Sequence, residues 1–395
     1  MRFFLCLVVV LTLPTGSVLL VAQQLPITRL DGNKISPPQI DATVTQWMKA
    51  SRVTGLGIAV LDGGEVVYLK TYGARDTEKH LPLTPDSIMT AASLTKSAFA
   101  TMVMQLVQEH VIDLDKPVYE YLPKPLPEYP GYKDLAGDPR YKQITMRMLL
   151  DHTSGFPNWR RFTDDKKLRI YFAPGSRFAY SGEGIALAQM VVETVTKKSV
   201  NELMNGRIFR PLGMNRTSMV WEKRFEDDYA NGYDEQGKSL GPERRERGDA
   251  AGSMQTTLRD YARFVQAVLS GAILDKKDRE TMLSPQTSIG SKHEFPTLSM
   301  ETTTENNWIH LSYGLGWGLY STRYGMAFFK EGHDEGWRHY VVCFDKPKIG
   351  MLIMTNSSNG EDTYDGLLRA MLADTFTPLE WEGFKPSASD RASRP

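Results

Sequence analysis

A strand pair near each end of the chain frames everything between them. Gly55 to Asp62 and Glu65 to Tyr72 are apolar, strand-like runs joined by Gly63-Gly64, the kind of dipeptide that supplies the positive φ values of a tight hairpin. His339 to Asp345 and Ile349 to Asn356 form a second pair about Lys346-Pro347-Lys348, and Asp362 to Phe376 reads as an amphipathic helix. The stretch between the pairs is mostly helical, with Pro- and Gly-rich connections. One strongly amphipathic helix is expected from Ser93 to Glu109, with Phe99, Met102, Val103, Leu106 and Val107 on one face. Another is expected from Gly184 to Lys197, carrying Leu187, Met190, Val191 and Val195. No internal repeat is present. The pattern predicts an α/β fold: an antiparallel sheet built from both termini, flanked by helices, with a mostly helical inserted region and a cleft between the two parts.

Lys plus Arg equals Asp plus Glu at 47 each, which leaves no net charge and argues against nucleic acid or an anionic membrane surface as a partner. The N-terminus departs from the average. Arg2 is followed by an apolar run from Phe3 to Leu13, then Pro14-Thr15-Gly16-Ser17, then a second apolar run to Ala22. Residues 1–22 read as a secretory signal peptide cleaved after Ala22 or near Ser17, the alternative being an uncleaved membrane anchor. Either places the folded part outside the cytoplasm, secreted or periplasmic. A single domain is expected over residues 36–380, and the polar tail 385–395 is expected to be disordered. Cys6 and Cys343 are the two cysteines, so loss of the leader leaves one thiol and no intramolecular disulfide. No cysteine–histidine cluster has zinc spacing and no Gly-rich phosphate loop is present. No metal and no organic cofactor is expected.

Ser93-Leu94-Thr95-Lys96 is the sole Ser-x-x-Lys in the chain. A serine hydroxyl is a poor nucleophile until a base takes its proton, and a lysine three positions on shares its helical face. Burial would lower the lysine pKa toward that of a useful base. Such a tetrapeptide arises about once by chance in a chain this long, so its weight comes from its surroundings.

Those surroundings resemble the serine β-lactamase and penicillin-binding-protein superfamily, within it the class C β-lactamase-like branch. Ser93-Leu94-Thr95-Lys96 matches the first motif. Leu149-Leu150-Asp151-His152-Thr153-Ser154-Gly155 looks like the family's Leu-Leu-x-His-Thr-Ser-Gly loop, and Tyr180-Ser181-Gly182 falls where Tyr-x-Asn is expected. Pro211-Leu212-Gly213-Met214, Ala251-Gly252-Ser253-Met254 and Tyr313-Gly314-Leu315-Gly316-Trp317 are further landmarks. Lys330-Glu331-Gly332 fits the third motif, with Gly336-Trp337 as the later pair and Tyr340-Val341-Val342 continuing the strand; His333 is the lesser alternative for its first position.

The resemblance implies a β-lactamase/transpeptidase-like fold and a serine hydrolase working through an acyl-enzyme. The expected substrates are β-lactams or D-alanyl peptides, with small esters or a non-catalytic penicillin-binding role as alternatives. Ser93 would be the nucleophile, and Lys96 and Tyr180 would share the proton work. The backbone N–H groups of Ser93 and His333 would bind the oxyanion, and Lys330 would hold a substrate carboxylate. His152 would be structural. The partner is a small-molecule or peptide substrate, and the oligomeric state is left open. Two departures stand out. Gly182 replaces an Asn that would contact the substrate, and Glu331 replaces a Thr, adding a carboxylate beside Lys330.

Overall fold

The computed structural model describes residues 26–384. The signal-peptide reading of 1–22 and the disordered reading of 385–395 lie outside the described residues.

The two strand pairs meet in one sheet. Strands β1 (Gly55–Asp62), β2 (Glu65–Asp76), β3 (Leu81–Pro82), β4 (Thr287–Ser288), β5 (Ser312–Tyr313), β6 (Gly318–Thr322), β7 (Gly325–Asp334), β8 (Trp337–Phe344) and β9 (Ile349–Thr355) form a nine-stranded sheet. Their order is β4-β5-β6-β7-β8-β9-β1-β2-β3, every pairing antiparallel. The N- and C-terminal strands join at β9–β1, with Ile353 opposite Ile58. Gly63 and Gly64 take φ of +61° and +84°, as the hairpin turn requires.

Strand alternation builds a core on each face. Ala59, Leu61, Phe328, Val341 and Leu352 belong to one apolar cluster; Ile58, Val60, Phe329, Tyr340 and Ile353 belong to the other. Helices α1 (Pro37–Ser51), α2 (Leu94–Gln108), α3 (Gly182–Thr196), α4 (Leu258–Ser270) and α5 (Tyr364–Leu372) divide between these layers. Ile40 and Val44 of α1 and Leu367 and Met371 of α5 fill the second core. Phe99 and Val103 of α2 and Phe264 and Val268 of α4 fill the first. Residues 37–51 carry no element in the sequence reading, although Pro37 opens α1 and the Gln39 side chain accepts from the Ser36 N–H at 2.9 Å.

Two local expectations are corrected. The helix after Ser93 is not amphipathic: every residue from Leu94 to Met104 is buried, because α2 is covered both by the sheet and by the helical region. The third-motif strand does not continue to Tyr340. β7 ends at Asp334, the chain turns through Glu335-Gly336, and Tyr340 lies on β8 opposite Glu331. Among the described residues no helix is long and apolar enough to cross a membrane.

Candidate active site

The turn that presents Ser93 is held from outside. Ala92 stands at φ +48°, a left-handed conformation that a non-glycine residue keeps only when its surroundings impose it. The Ala251–Met254 landmark imposes it here. The Ala91 N–H donates to the Met254 carbonyl at 2.8 Å, the Met254 N–H to Thr95 Oγ1 at 3.2 Å, and Thr95 Oγ1 to the Ala92 carbonyl at 2.6 Å. Ser93 is left partly exposed at the head of α2.

One turn on, Lys96 Nζ lies 2.9 Å from Ser93 Oγ and donates to the Ala251 carbonyl at 2.5 Å. Lys96 is 2% exposed. Burial, then the neighbouring Lys330 charge, lowers its pKa from 10.5 to about 7, so a neutral amine is accessible near neutral pH. The Tyr180 ring lies beneath both ammonium groups, 5.0 Å from Lys96 Nζ and 4.8 Å from Lys330 Nζ. Lys330 donates to the Tyr180 hydroxyl at 3.2 Å. Burial and then Glu331 push the Tyr180 pKa well above the ordinary phenol value, with the Ser93 hydroxyl a weaker opposing influence. Tyr180 is therefore a neutral phenol here, and Lys96 Nζ stands within hydrogen-bond reach of the Ser93 hydroxyl.

His152 locks Tyr180 from both sides. Its carbonyl accepts from the Ala179 N–H at 2.8 Å, its Nδ1 accepts from the Ser181 N–H at 3.2 Å, and its ring lies 4.5 Å from the Tyr180 ring. Burial pushes the imidazole pKa well below its ordinary value, so the ring is neutral and fits a structural role. Ser181 caps α3 through the Gly184 N–H at 2.9 Å.

Lys330 is wholly enclosed. Its ammonium donates to the Tyr180 hydroxyl, to the Glu331 carbonyl at 3.3 Å, and to Glu331 Oε1 in a close ion pair. All three donors are committed, so a substrate carboxylate could reach Lys330 only by displacing Glu331. The carboxylate-holding role read from the sequence does not fit this enclosure. Alternation sends Glu331 to the opposite face, but that face is the second core rather than solvent, and Glu331 is 5% exposed. Lys330 is the first residue of β7 past the last β6–β7 pair, Phe329 with Gly318.

Gly332 packs on the turn that presents Ser93: a Cβ there would fall 2.8 Å from the Ala91 carbonyl oxygen and 3.1 Å from Leu94 Cγ. The His333 side chain is not drawn in. It is exposed, 3.6 Å from Glu361 Oε2. Gly182 is covered by the Trp159 indole, which a Cβ would overlap. The space of the absent amide is thus filled by an aromatic ring, and the Gly182 N–H donates to Asn158 Oδ1 at 3.1 Å. Beside this lies a cleft of about 310 Å³ lined largely by Trp159, Phe162, Tyr171, Phe295, Pro296 and Leu298. The Phe295 ring stands 5.5 Å from that of Tyr180.

Trp159, Glu294 and Glu382 are absent from the sequence-derived site. Trp159 follows the His-Thr-Ser-Gly loop closely enough to have been suspected. The two glutamates carry no local signal.

The geometry agrees with the comparisons to known proteins. Residues 40–374 match the family described as Beta-lactamase. The chain is 24% identical over 351 residues to penicillin-binding protein 4* of Bacillus subtilis, covering 79% of this chain and 70% of that protein. It is 28% identical over 225 residues to esterase EstB of Burkholderia gladioli, covering 50% and 55%, and 26% identical over 219 residues to protein flp of Staphylococcus aureus, covering 52% and 42%. The solved structure of the octameric penicillin-binding protein homologue from Pyrococcus abyssi superposes with a TM-score of 0.68 at 24% identity, over 85% of this chain and 76% of that one, which bears out the α/β fold with its large antiparallel sheet. A family match across most of the chain, joined to a buried lysine one helical turn from an accessible serine, makes this chain a member of the Beta-lactamase family and a serine hydrolase of the β-lactamase and penicillin-binding-protein superfamily.

Proposed function

We propose that this chain is a secreted acyl-transfer hydrolase that cleaves neutral carboxylic esters through an acyl-enzyme on Ser93. The commitment of all three Lys330 donors to Tyr180 and Glu331 carries this reading, because an anionic substrate group would meet no free cation there. The apolar cleft beside Tyr180 favours an uncharged acyl or alcohol group. The likeness to an esterase over half the chain supports the ester bond. A leader at residues 1–22 would carry the domain at 36–380 out of the cytoplasm.

In the first step neutral Lys96 accepts the Ser93 proton as Oγ attacks the ester carbonyl carbon. The negative charge that develops on the carbonyl oxygen falls to the backbone N–H groups of Ser93 and, by family resemblance, His333. The carbon–alkoxide bond then breaks. The leaving oxygen takes a proton from the Tyr180 hydroxyl, and Tyr180 is re-protonated from Lys96. Water attacks the acyl-enzyme with the same groups reversed, returning the proton to Ser93 and releasing the acid.

A second reading, hydrolysis of β-lactams or D-alanyl peptides, is favoured by the long match to penicillin-binding protein 4*. Competition among a p-nitrophenyl ester, a D-Ala-D-Ala peptide and a penicillin separates the two. The ester reading expects the highest kcat/KM for the neutral ester, and a penicillin or peptide turned over faster would replace it with the second.

A further inference from the structure

Three buried carboxyl groups converge behind Lys330. Glu294 from the loop ahead of β5, Glu331 on β7 and Glu382 from the segment after α5 are 2%, 5% and 5% exposed, with one oxygen of each within 4.8 Å of the others. The Glu294 N–H donates to the Trp381 carbonyl at 2.8 Å, which ties the first segment to the last. Tyr340 donates to Glu382 Oε2 at 2.7 Å. Glu294 Oε2, Glu382 Oε1 and the Tyr313 hydroxyl are fully buried without a partner.

Three ionised carboxylates at this spacing, away from water, would repel one another strongly. Lys330, which touches Glu331, is the cation in the cluster; Lys96 is farther off on α2. A buried oxygen without a donor is costly, and a protonated carboxyl both removes a charge and supplies a donor.

We infer that Glu294, Glu331 and Glu382 form a proton-sharing cluster with a single net negative charge, and that this charge fixes the Lys330 ammonium against the Tyr180 hydroxyl. Glu331 carries the charge, since it touches Lys330. Glu294 and Glu382 are neutral acids whose O–H groups turn toward it. Burial first and Glu331 second raise the pKa of both glutamates well above the carboxylate range. The titratable groups that face Glu331 from the surrounding elements are Lys330 and His333 on β7, Tyr340 on β8, Tyr313 on β5, Tyr364 on α5, Tyr180 ahead of α3, Lys96 on α2 and Tyr261 on α4. Of these groups Lys96, whose pKa burial and then the Lys330 charge lower to about 7, exchanges its proton near neutral pH. A divalent cation is disfavoured because the Lys330 ammonium already occupies the cluster. All three glutamates are positioning residues that act through Lys330.

The test has two arms. The activity arm rests on the proposed ester hydrolysis; the spectroscopic arm does not. In the infrared, the wild-type protein at neutral pH should show the carbonyl stretch of a buried protonated carboxyl, reduced in Glu294→Gln and in Glu382→Gln. In activity, Glu294→Ala and Glu382→Ala should lower kcat about tenfold with little change in KM, and the Gln variants should restore most of it. Glu331→Gln should lower kcat further, with partial rescue by Glu331→Asp. Absence of the protonated-carboxyl band overturns the proposal without any variant having to fold. So does a Gln variant of Glu294 or Glu382 as impaired as its Ala counterpart, or a co-purifying divalent cation whose chelation abolishes the band pattern and the activity together.

Discussion

Lys96 Nζ sits 2.9 Å from Ser93 Oγ with the lysine enclosed and the serine reachable. This asymmetry lets one group be tuned by burial while the other meets substrate. Because burial and Lys330 bring the Lys96 pKa from 10.5 to about 7, acylation should rise with pH through about 7 and then level, rather than keep rising toward 10.5. Stopped-flow acylation across pH 5 to 10, in buffers of constant ionic strength, checks it. Lys96→Ala should slow acylation by about 10²–10⁴-fold.

The same burial has a cost in stability. Between pH 7 and 10.5 the unfolded chain holds a proton on this lysine that the folded one has released, so wild-type stability should rise with pH across that window. Below about 7 both forms are charged and the full penalty of burying the ammonium is present. Lys96→Met should therefore raise Tm most at pH 6, with a gain that shrinks toward pH 10, while activity is lost. Calorimetry of the variant and wild type at both pH values measures it.

Tyr180→Phe keeps the ring under the two ammonium groups and removes the hydroxyl that Lys330 reaches at 3.2 Å. Its effect should fall on kcat, by about 10²-fold or more, with KM little changed. Near-normal acylation and deacylation rates would remove Tyr180 from the proton path.

How far the site could be read in advance follows from how its parts are encoded. Ser93 and Lys96 are coupled by helical spacing alone, and Tyr180 and Lys330 by motif order, so all four are legible along the chain. The sheet from both termini is legible because Gly63-Gly64 and the apolar β9 run mark their strands locally. The surroundings of α2 are not, because its cover comes from both the sheet and the helical region, and periodicity records only one face. Gly182 reads in sequence as a missing amide; only packing reveals Trp159 in its place. Glu294 and Glu382 are single glutamates in irregular segments, gathered around Glu331 by tertiary contacts with no sequence spacing of their own.

Gly182→Asn, which restores the family residue, should not restore a family-like site. Its Cβ would overlap the Trp159 indole, and overpacking of this kind costs about 1–3 kcal/mol. Chemical denaturation should show that loss, and the double variant with Trp159→Ala should recover most of it. Full stability in the single variant would mean that the indole moves freely.

Glu331→Thr frees the Lys330 ammonium from its ion pair. KM for a carboxylate-bearing β-lactam should fall, while KM for a neutral ester stays nearly constant. Equal changes for both substrates would separate Glu331 from substrate choice.

The central claim is that Ser93 is the nucleophile, and the direct measurement is intact-protein and peptide mass spectrometry after incubation with an activated ester or a fluorophosphonate. The expected result is one adduct, on the peptide that contains Ser93, absent from a folded Ser93→Ala variant. An adduct on another residue, or labelling that survives Ser93→Ala, would contradict the account.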